Sequence, residues 1–300
     1  MVGELKQSSW QSKGRLLALI AVLPLQLFFP TAHSAALPSY GSTSLEFDDD
    51  SSRYSIDLDV NLDKTGNRFR FMLSQSADTS DTSDNPNQNL DSKAYSLGFG
   101  SNPDAPIEFS ANYEDWGKSN TFSVDSLSGT IRFNHSDWSF GITPYLRYLD
   151  IEGSNRGGQE KNFNVDSQGL LLDLSFTGFT RFLIYGRYIN HRYSEDVSKL
   201  DASGQSGFLR FFTPATLSFA QGLEDSALSF AVDYSFNPVT LGVELSQSRS
   251  AIDDSVANTT TFSLIWPISS QWDASTEGGW LSQKDEEDIQ FLGGSIHYRW

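Results

Sequence analysis

The sequence predicts an all-β chain that folds as a single antiparallel, up-and-down β-barrel spanning a membrane. Three observations support this prediction: apolar and polar residues alternate in many segments, tight turns alternate with long polar connections, and aromatic residues lie near segment ends. Successive side chains of a strand point to opposite faces, so such alternation gives a strand with one apolar face. The segments have the length of membrane-spanning strands, about 9–11 residues, whereas a soluble β-sandwich would have shorter ones.

Composition is compatible with a membrane barrel and argues against nucleic-acid binding. The chain has 300 residues, of which 38% are hydrophobic and 13% aromatic, yet its mean hydropathy is −0.36. The formal net charge of −17 opposes binding to a phosphate backbone or to an anionic lipid surface. Because the sequence contains no cysteine, disulfides, thiolate nucleophiles and cysteine-ligated metals are excluded.

The N-terminal residues have the order of a secretory signal peptide. Lys13 and Arg15 precede an apolar stretch at residues 16–29, and small residues follow it. The apolar stretch is shorter than the roughly 20 residues of a membrane-spanning helix. We therefore predict a cleaved signal peptide over residues 1–36 and a barrel domain over residues 37–300. A retained membrane anchor is the alternative.

The alternating segments are clearest near the start of the barrel domain. The stretch "GSTSLEFD" can supply a first strand, and "RYSIDLDVNL" a second, with Tyr54, Ile56, Leu58 and Val60 on its apolar face. Five apolar positions in strict alternation, counting Leu62, are strong evidence for a strand. Further alternating segments begin near residues 68, 95, 107, 127, 138, 170, 182, 227, 240, 262, 272 and 290.

The connections between these segments alternate in length. The tight ones are "DKTGN", "SNPDAP", "NHSD", "TGFT", "NPV" and "PISS", and long polar ones such as "ADTSDTSDNPNQNLDS" lie between them. Membrane barrels have short turns at one end and long loops at the other, with an even number of strands. The predicted number of strands is about fourteen. The stretch "FLRFFTPATLSFAQG" could add a hairpin and give sixteen, or enter the lumen, and a miscounted pair would give twelve.

The chain closes on an alternating apolar segment. Its apolar positions are Leu292, Gly294, Ile296, Tyr298 and Trp300. This segment resembles the C-terminal assembly signal of Gram-negative outer-membrane β-barrel proteins, although glycine at one apolar position departs mildly from the pattern. The resemblance concerns architecture and indicates no specific family. It implies an outer-membrane location, contact with outer-membrane lipid and lipopolysaccharide, and recognition by the barrel-assembly machinery.

The polar positions between the apolar ones are predicted to face the lumen. Charges of both signs among small residues are typical of a water-filled interior, and such charges set ion selectivity. The predicted function is a porin-like channel for passive diffusion of small hydrophilic solutes or ions, without a cofactor. Its predicted pore-lining residues are Asp57, Asp59, Arg68, Arg70, Arg132, Arg147, Arg187, Asp233 and Glu244.

Two other functions remain open, a lipid-modifying enzyme and a plugged structural or adhesive barrel. Outer-membrane phospholipases and lipid A deacylases resemble one another in carrying histidine and serine close together on one strand. Here His191 and Ser194 are three positions apart, which places them on opposite faces of a strand. We therefore predict no catalytic residue. Acidic loops could bridge to lipopolysaccharide phosphates through divalent cations, but they match no calcium-loop signature, and no metal site is predicted.

Overall fold

The computed structural model describes residues 39–48, 51–78, 92–118, 122–154, 160–197, 224–251, 254–283 and 288–299. Within these ranges, fourteen antiparallel strands form one closed barrel, in which sequence neighbours pair and β1 also pairs with β14. The strands are β1 Tyr40–Asp48, β2 Ser51–Asn61, β3 Arg68–Asp78, β4 Ser92–Gly100, β5 Ile107–Lys118, β6 Phe122–His135, β7 Trp138–Ser154, β8 Glu160–Phe179, β9 Phe182–Tyr193, β10 Glu224–Phe236, β11 Val239–Ser250, β12 Val256–Pro267, β13 Trp272–Gln283 and β14 Ile289–Arg299.

The predicted fold class and strand count are confirmed. The barrel is all-β, antiparallel and up-and-down, with fourteen strands among the described residues, and not twelve or sixteen. The stretch "FLRFFTPATLSFAQG" and the predicted signal peptide at residues 1–36 lie outside the described residues, and the signal peptide stays a prediction. No helix in the described part of the chain is long and apolar enough to cross a membrane.

The two ends of the barrel differ in their connections. The strand pairs β2–β3, β4–β5, β6–β7, β8–β9, β10–β11 and β12–β13 are joined by the six predicted tight turns, all at one end. We call this the turn end and the opposite one the loop end, where the connections at residues 79–91 and 194–223 are long but those at residues 49–50 and 119–121 are short. The first residue of β1 and the last of β14 also lie at the turn end. In outer-membrane barrels the short turns are periplasmic.

Strand register separates a polar inner face from an apolar outer face. Arg68 on β3 donates to Glu108 on β5 at 3.3 Å, and Arg132 on β6 donates to Asp173 on β8 at 2.8 Å. Both contacts pass over an intervening strand, which side chains on the concave face of a curved sheet can do. The opposite face carries large exposed apolar side chains, for example Leu245, which is 53% exposed. A continuous apolar exterior requires lipid around it, not water.

Aromatic side chains are concentrated on the outer face near both ends. Trp138 and Trp266, which are 50% and 58% exposed, lie next to tight turns. The rings of Trp272 and Tyr298 are 4.6 Å apart at the same end. Near the loop end, Tyr95 donates a hydrogen bond to Asp115 across the β4–β5 pair at 2.6 Å. This distribution matches the aromatic girdles at the two interfaces of a membrane barrel.

The turn between β2 and β3 is organised by Asp63. Thr65 donates to Oδ1 of Asp63 from its backbone N–H at 2.9 Å and from its hydroxyl at 2.6 Å. Asn67 donates to Oδ2 from its side-chain amide at 2.6 Å. Gly66 completes the turn with a φ of 89°, a conformation that glycine adopts without strain. Hydrogen bonds to the ionised carboxylate favour the charged form.

These contacts predict an acid-sensitive turn. The hydrogen bonds from the Thr65 and Asn67 side chains lower the pKa of Asp63 from 3.8 to about 2. A lowered folded-state pKa stabilises the turn above pH 3.8, and this contribution is lost as the pH falls through about 2. We expect Asp63→Asn to loosen the turn at neutral pH, as read from amide hydrogen exchange at Thr65. The difference between variant and wild type should disappear at the acid end, and a difference that persists there would contradict this account.

Candidate functional site in the barrel lumen

All nine predicted pore-lining residues lie on the inner face of the barrel. Register places Asp57 opposite Met72 and Asp59 opposite Arg70, and it places Asp233 opposite Gly242. The remaining ones occupy inner positions of β3, β6, β7, β9 and β11, namely Arg68, Arg70, Arg132, Arg147, Arg187 and Glu244. They do not form one cluster. Four of them (Asp59, Arg68, Arg70 and Arg132) and two others (Asp233 and Glu244) lie on two sides of the wall that differ in how their charges are paired, and Asp57, Arg147 and Arg187 belong to neither set.

On one side, six charged side chains near the turn end form an ion-pair belt from β2 to β8. Arg70 contacts Asp59 at 3.0 Å, and Arg68 lies 3.3 Å from both Asp59 and Glu108. Arg132 lies 3.9 Å from Glu108 and 2.8 Å from the carboxylate of β8. Each carboxylate of this belt therefore has an arginine partner, which its burial requires. The belt consists of Asp59, Arg68, Arg70, Glu108, Arg132 and Asp173.

Glycines on the intervening strands make this belt possible. Gly98 and Gly100 lie on β4 between the β3 arginines and Glu108, and Gly141 lies on β7 between Arg132 and Asp173. A Cβ at Gly141 would be 2.1 Å from a carboxylate oxygen of Asp173. Glycine at position 141 therefore leaves the path over β7 open, and Gly98 and Gly100 present no side chain to the inner face of β4. Glycine in a strand is no signal by itself, so this role could not be predicted from the sequence.

On the other side, β10 to β13 present acidic and small side chains to the lumen. β10, β12 and β13 contain no lysine or arginine, and Arg249, which β11 contains, lies on the outer face and contacts Asp254 at 3.1 Å. The inner-facing carboxylates are Glu224, Asp233, Glu244, Asp273 and Glu277. We call this set the acidic wall.

The acidic wall is largely unpaired. Asp273 contacts Arg299 at 2.8 Å. Over the described ranges, neither Glu244 nor Glu277 has an arginine, lysine or histidine within ion-pair distance. The two sides of the lumen thus carry charge differently, since the belt neutralises itself and the acidic wall retains negative charge.

A cavity of about 360 Å³ opens against the acidic wall. Carboxylates and hydroxyls make up much of its lining, which also includes Arg53 and Arg187. A smaller space of about 80 Å³ adjoins the ion-pair belt. The hydroxyl-bearing residues around the larger cavity are Ser229, Ser246, Ser248, Thr259 and Thr261. A surface of this chemistry can replace the hydration of a polar solute.

Near the loop end, the inner face is apolar and buried, which the sequence analysis did not predict. Trp116, Val124, Leu149 and Val165 are each at most 5% exposed. They occupy inner positions of adjacent strands β5 to β8. Each belongs to a strand whose inner face also carries polar residues, so its own strand does not indicate a buried apolar patch. Only strand pairing brings them side by side.

His191 does not contact Ser194, and this agrees with the prediction that the two side chains lie on opposite faces. It contacts a serine on the neighbouring strand instead. Its Nδ1 lies 3.3 Å from Oγ of Ser167, and both side chains face the interior. Ser194 accepts a hydrogen bond from the backbone N–H of Asp166 at 3.0 Å. His191 and Ser167 are 1% and 2% exposed, so lipid at the outer face cannot reach either of them. The contact between His191 and Ser167 could not be predicted from the sequence, because the two residues belong to different strands.

The C-terminal strand has the geometry that its sequence predicts. Leu292 and Ile296, 62% and 40% exposed, lie on the outer face with Gly294 and Tyr298. Trp300 lies outside the described residues. Recognition of this strand by the assembly machinery stays a prediction. Among the residues that the structure describes, no group of three histidine, cysteine or acidic side chains could hold a metal ion.

Comparison with known proteins shows likeness in architecture at low sequence identity. No protein-family model matches the chain, and no curated protein does. The KdgM porin in complex with disordered oligogalacturonate is 8% identical, with a TM-score of 0.43, over 86% of this chain and 98% of that one. A loop L8 deletion mutant of OmpT, an outer membrane protein of Vibrio cholerae, is 12% identical, with a TM-score of 0.47, over 88% and 98% of the chains. The outer membrane protein OpdK from Pseudomonas aeruginosa is 7% identical, with a TM-score of 0.39, over 88% and 98%.

At such identities the comparison concerns the fold alone, and the function proposed below depends on the residues of this chain. Its own geometry establishes the architecture: a closed antiparallel barrel with a lipid-compatible exterior, aromatic residues near both ends and a polar inner face. The expected resemblance to outer-membrane β-barrel proteins is confirmed. The chain has the architecture of an outer-membrane β-barrel.

Proposed function

We propose that the protein is a porin-like channel through which small hydrophilic solutes and ions diffuse passively across the outer membrane. The observation that carries this proposal is the pair of carboxylates of the acidic wall, Glu244 and Glu277, that have no ion-pair partner among the described residues and line an internal cavity. An ionised carboxylate without a partner is stable inside a protein only where water solvates it. Glu244 and Glu277 therefore require a hydrated lumen next to β10 to β13. The nine predicted residues, Asp57 and Arg187 among them, line this pathway in the proposal.

The size of the barrel supports a narrow pathway. Barrels of about eight strands are filled by their own side chains, whereas those of about 16–18 leave an aqueous channel. A fourteen-stranded barrel lies between these cases. The ion-pair belt occupies one side of the lumen near the turn end and leaves the opposite side for passage. Outer-membrane lipid and lipopolysaccharide would contact the apolar outer face, and small solutes would meet the acidic wall.

Single-channel recording tests the proposal. Protein purified from outer membranes and inserted in a planar bilayer should produce discrete conductance steps that grow with salt concentration. In parallel, liposomes carrying the protein should swell in small uncharged sugars and not in large ones, because passage depends on lumen width.

A closed interior is the competing candidate, favoured by the ion-pair belt and by the buried apolar residues near the loop end. Protein that migrates as a folded, heat-modifiable barrel, yet shows neither conductance nor swelling, would overturn the channel proposal and leave a structural or adhesive barrel. An enzymatic role has less support, because Ser167 and His191 are buried where lipid cannot reach them.

A further inference from the structure

We propose that the acidic wall selects small solutes that carry an ammonium group and binds them transiently during passage. This inference rests on the proposed channel function and names its solute class. The sites are the side chains of Glu244 and Glu277 together with the hydroxyl groups beside them.

Charge without an ion-pair partner is concentrated on one side of the lumen. Carboxylates of the ion-pair belt are held by arginines at 2.8–3.3 Å and have little residual attraction for a solute. Glu244 and Glu277 lack such partners among the described residues. A passing cation therefore meets its strongest attraction on β10 to β13. The two arginines that line the same cavity, Arg53 and Arg187, are on β2 and β9, outside the strands that carry these carboxylates.

Small residues flank these two carboxylates on the neighbouring strands. Glu244 lies between Ala231 on β10 and Thr261 on β12. Glu277 lies between Ser263 on β12 and Gly293 on β14. Small flanking residues leave each carboxylate accessible from the lumen. The hydroxyl oxygens beside them can accept further hydrogen bonds, so an ammonium group with three N–H donors finds several acceptors together.

The spacing of the carboxylates favours an organic cation over a metal ion. No group of three acidic or histidine side chains within the described ranges converges closely enough to hold a metal. The carboxylates are instead distributed along the wall of a cavity of about 360 Å³. Such a space accommodates a small organic molecule, whose ammonium group contacts one carboxylate while its remaining polar groups contact serine and threonine hydroxyls. The chemistry fits an amine that also carries hydroxyl groups.

The separation of the two carboxylates allows a bound solute to move on through the lumen. Glu244 on β11 and Glu277 on β13 are two strands apart and two residues out of register, since Thr261 on β12 pairs with both Glu244 and Gly279, and this corresponds to about 12 Å between their Cα atoms. A solute with one ammonium group therefore engages one carboxylate at a time and can transfer to the next. Conduction requires binding that is favourable enough to admit a solute and weak enough, over several sites, to release it. Two separated carboxylates satisfy this requirement better than one convergent site would.

Planar-bilayer recording with ethanolammonium as the probe tests the inference. Under a potassium chloride gradient, the reversal potential of the wild type should show preference for cations. Ethanolammonium chloride added to the solution on one side of the bilayer should reduce the potassium current in a saturable way. Uncharged ethylene glycol and anionic glycolate should not reduce it. The double variant Glu244→Gln, Glu277→Gln should lose the preference, and its apparent affinity for ethanolammonium should fall about tenfold, since charge-assisted hydrogen bonds become neutral ones.

Asp166→Asn is the matched control. Asp166 lies on the outer face of β8, so this variant removes a negative charge outside the lumen. Its cation preference and its apparent affinity for ethanolammonium should equal those of the wild type. Heat-modifiable migration of every variant excludes misfolding as a cause.

The outcomes separate the two proposals. A conducting wild type without cation preference, or without saturable reduction by ethanolammonium, would overturn this inference and leave the channel function standing. An unchanged affinity in the double variant, or an equal loss in Asp166→Asn, would also overturn it, because the attraction would then come from elsewhere. Absence of any conductance would overturn both.

Discussion

Replacing Leu245 by arginine is expected to lower the free energy of unfolding by about 2–4 kcal/mol, the cost of a charge on the lipid face near the bilayer midplane. Leu245 lies in the middle of β11 and is 53% exposed on the outer face. Its neighbour Ser246 lines the internal cavity. Ser246→Arg should therefore leave the free energy of unfolding nearly unchanged, because water solvates the new charge in the lumen.

The two substitutions form a matched pair, since they add the same side chain one residue apart on one strand. Reversible denaturant unfolding in phospholipid bilayers measures both. Ser246→Arg should also weaken the cation preference of the channel, because it places a positive charge on the acidic wall, whereas Leu245→Arg should not. A larger stability loss for Ser246→Arg than for Leu245→Arg would show that the assignment of inner and outer faces is wrong.

Substituting Gly141 by alanine is expected to break the ion-pair belt. The added Cβ would lie 2.1 Å from Oδ2 of Asp173, so the carboxylate must turn away from Arg132. Loss of one partner of a buried ion pair costs about 3–5 kcal/mol. Arg132 keeps access to water, with 35% of its side chain exposed, so we expect a loss of about 2 kcal/mol in the free energy of unfolding.

A double-mutant cycle isolates this effect. With Asp173→Ala already present, Gly141→Ala should cost little, because the colliding carboxylate is gone. Gly186→Ala is the control for adding a methyl group to a strand glycine: the nearest atom to its Cβ would be 4.0 Å away, and the free energy of unfolding should change little. Equal losses for Gly141→Ala in the presence and absence of Asp173 would contradict the proposed collision.

The strands and their faces could be predicted from sequence because the signal is local. Side-chain direction alternates with every residue, so the apolar positions Ile56 and Leu58 define the face on which Asp57 and Asp59 cannot lie. Turn chemistry is equally local, as the contacts of Asp63 with Thr65 and Asn67 show. Both kinds of inference need only a few consecutive residues.

The candidate site could be predicted only as a set of inward-facing residues. The sequence contains Asp59 and Glu244 in similar alternating surroundings, yet one is held by two arginines and the other has no ion-pair partner among the described residues. What separates them is the strand that lies beside each one. The contact of Ser167 with His191 has the same origin, as it joins neighbouring strands and not neighbouring residues.

By itself, the sequence determined that this chain is an antiparallel barrel of about fourteen strands with apolar residues outward and charged residues inward, because the faces follow from a period of two along each strand and the strand number from the segments between turns. Only the tertiary structure decided which inner charges are neutralised. Ion pairing depends on side chains that are brought together across β4 and β7 from positions about forty residues apart, and over β7 it depends on the space that Gly141 leaves for Asp173. Glu244 and Glu277 on the acidic wall have no ion-pair partner among the described residues, because β10, β12 and β13 carry no arginine or lysine and Arg249 of β11 lies on the outer face.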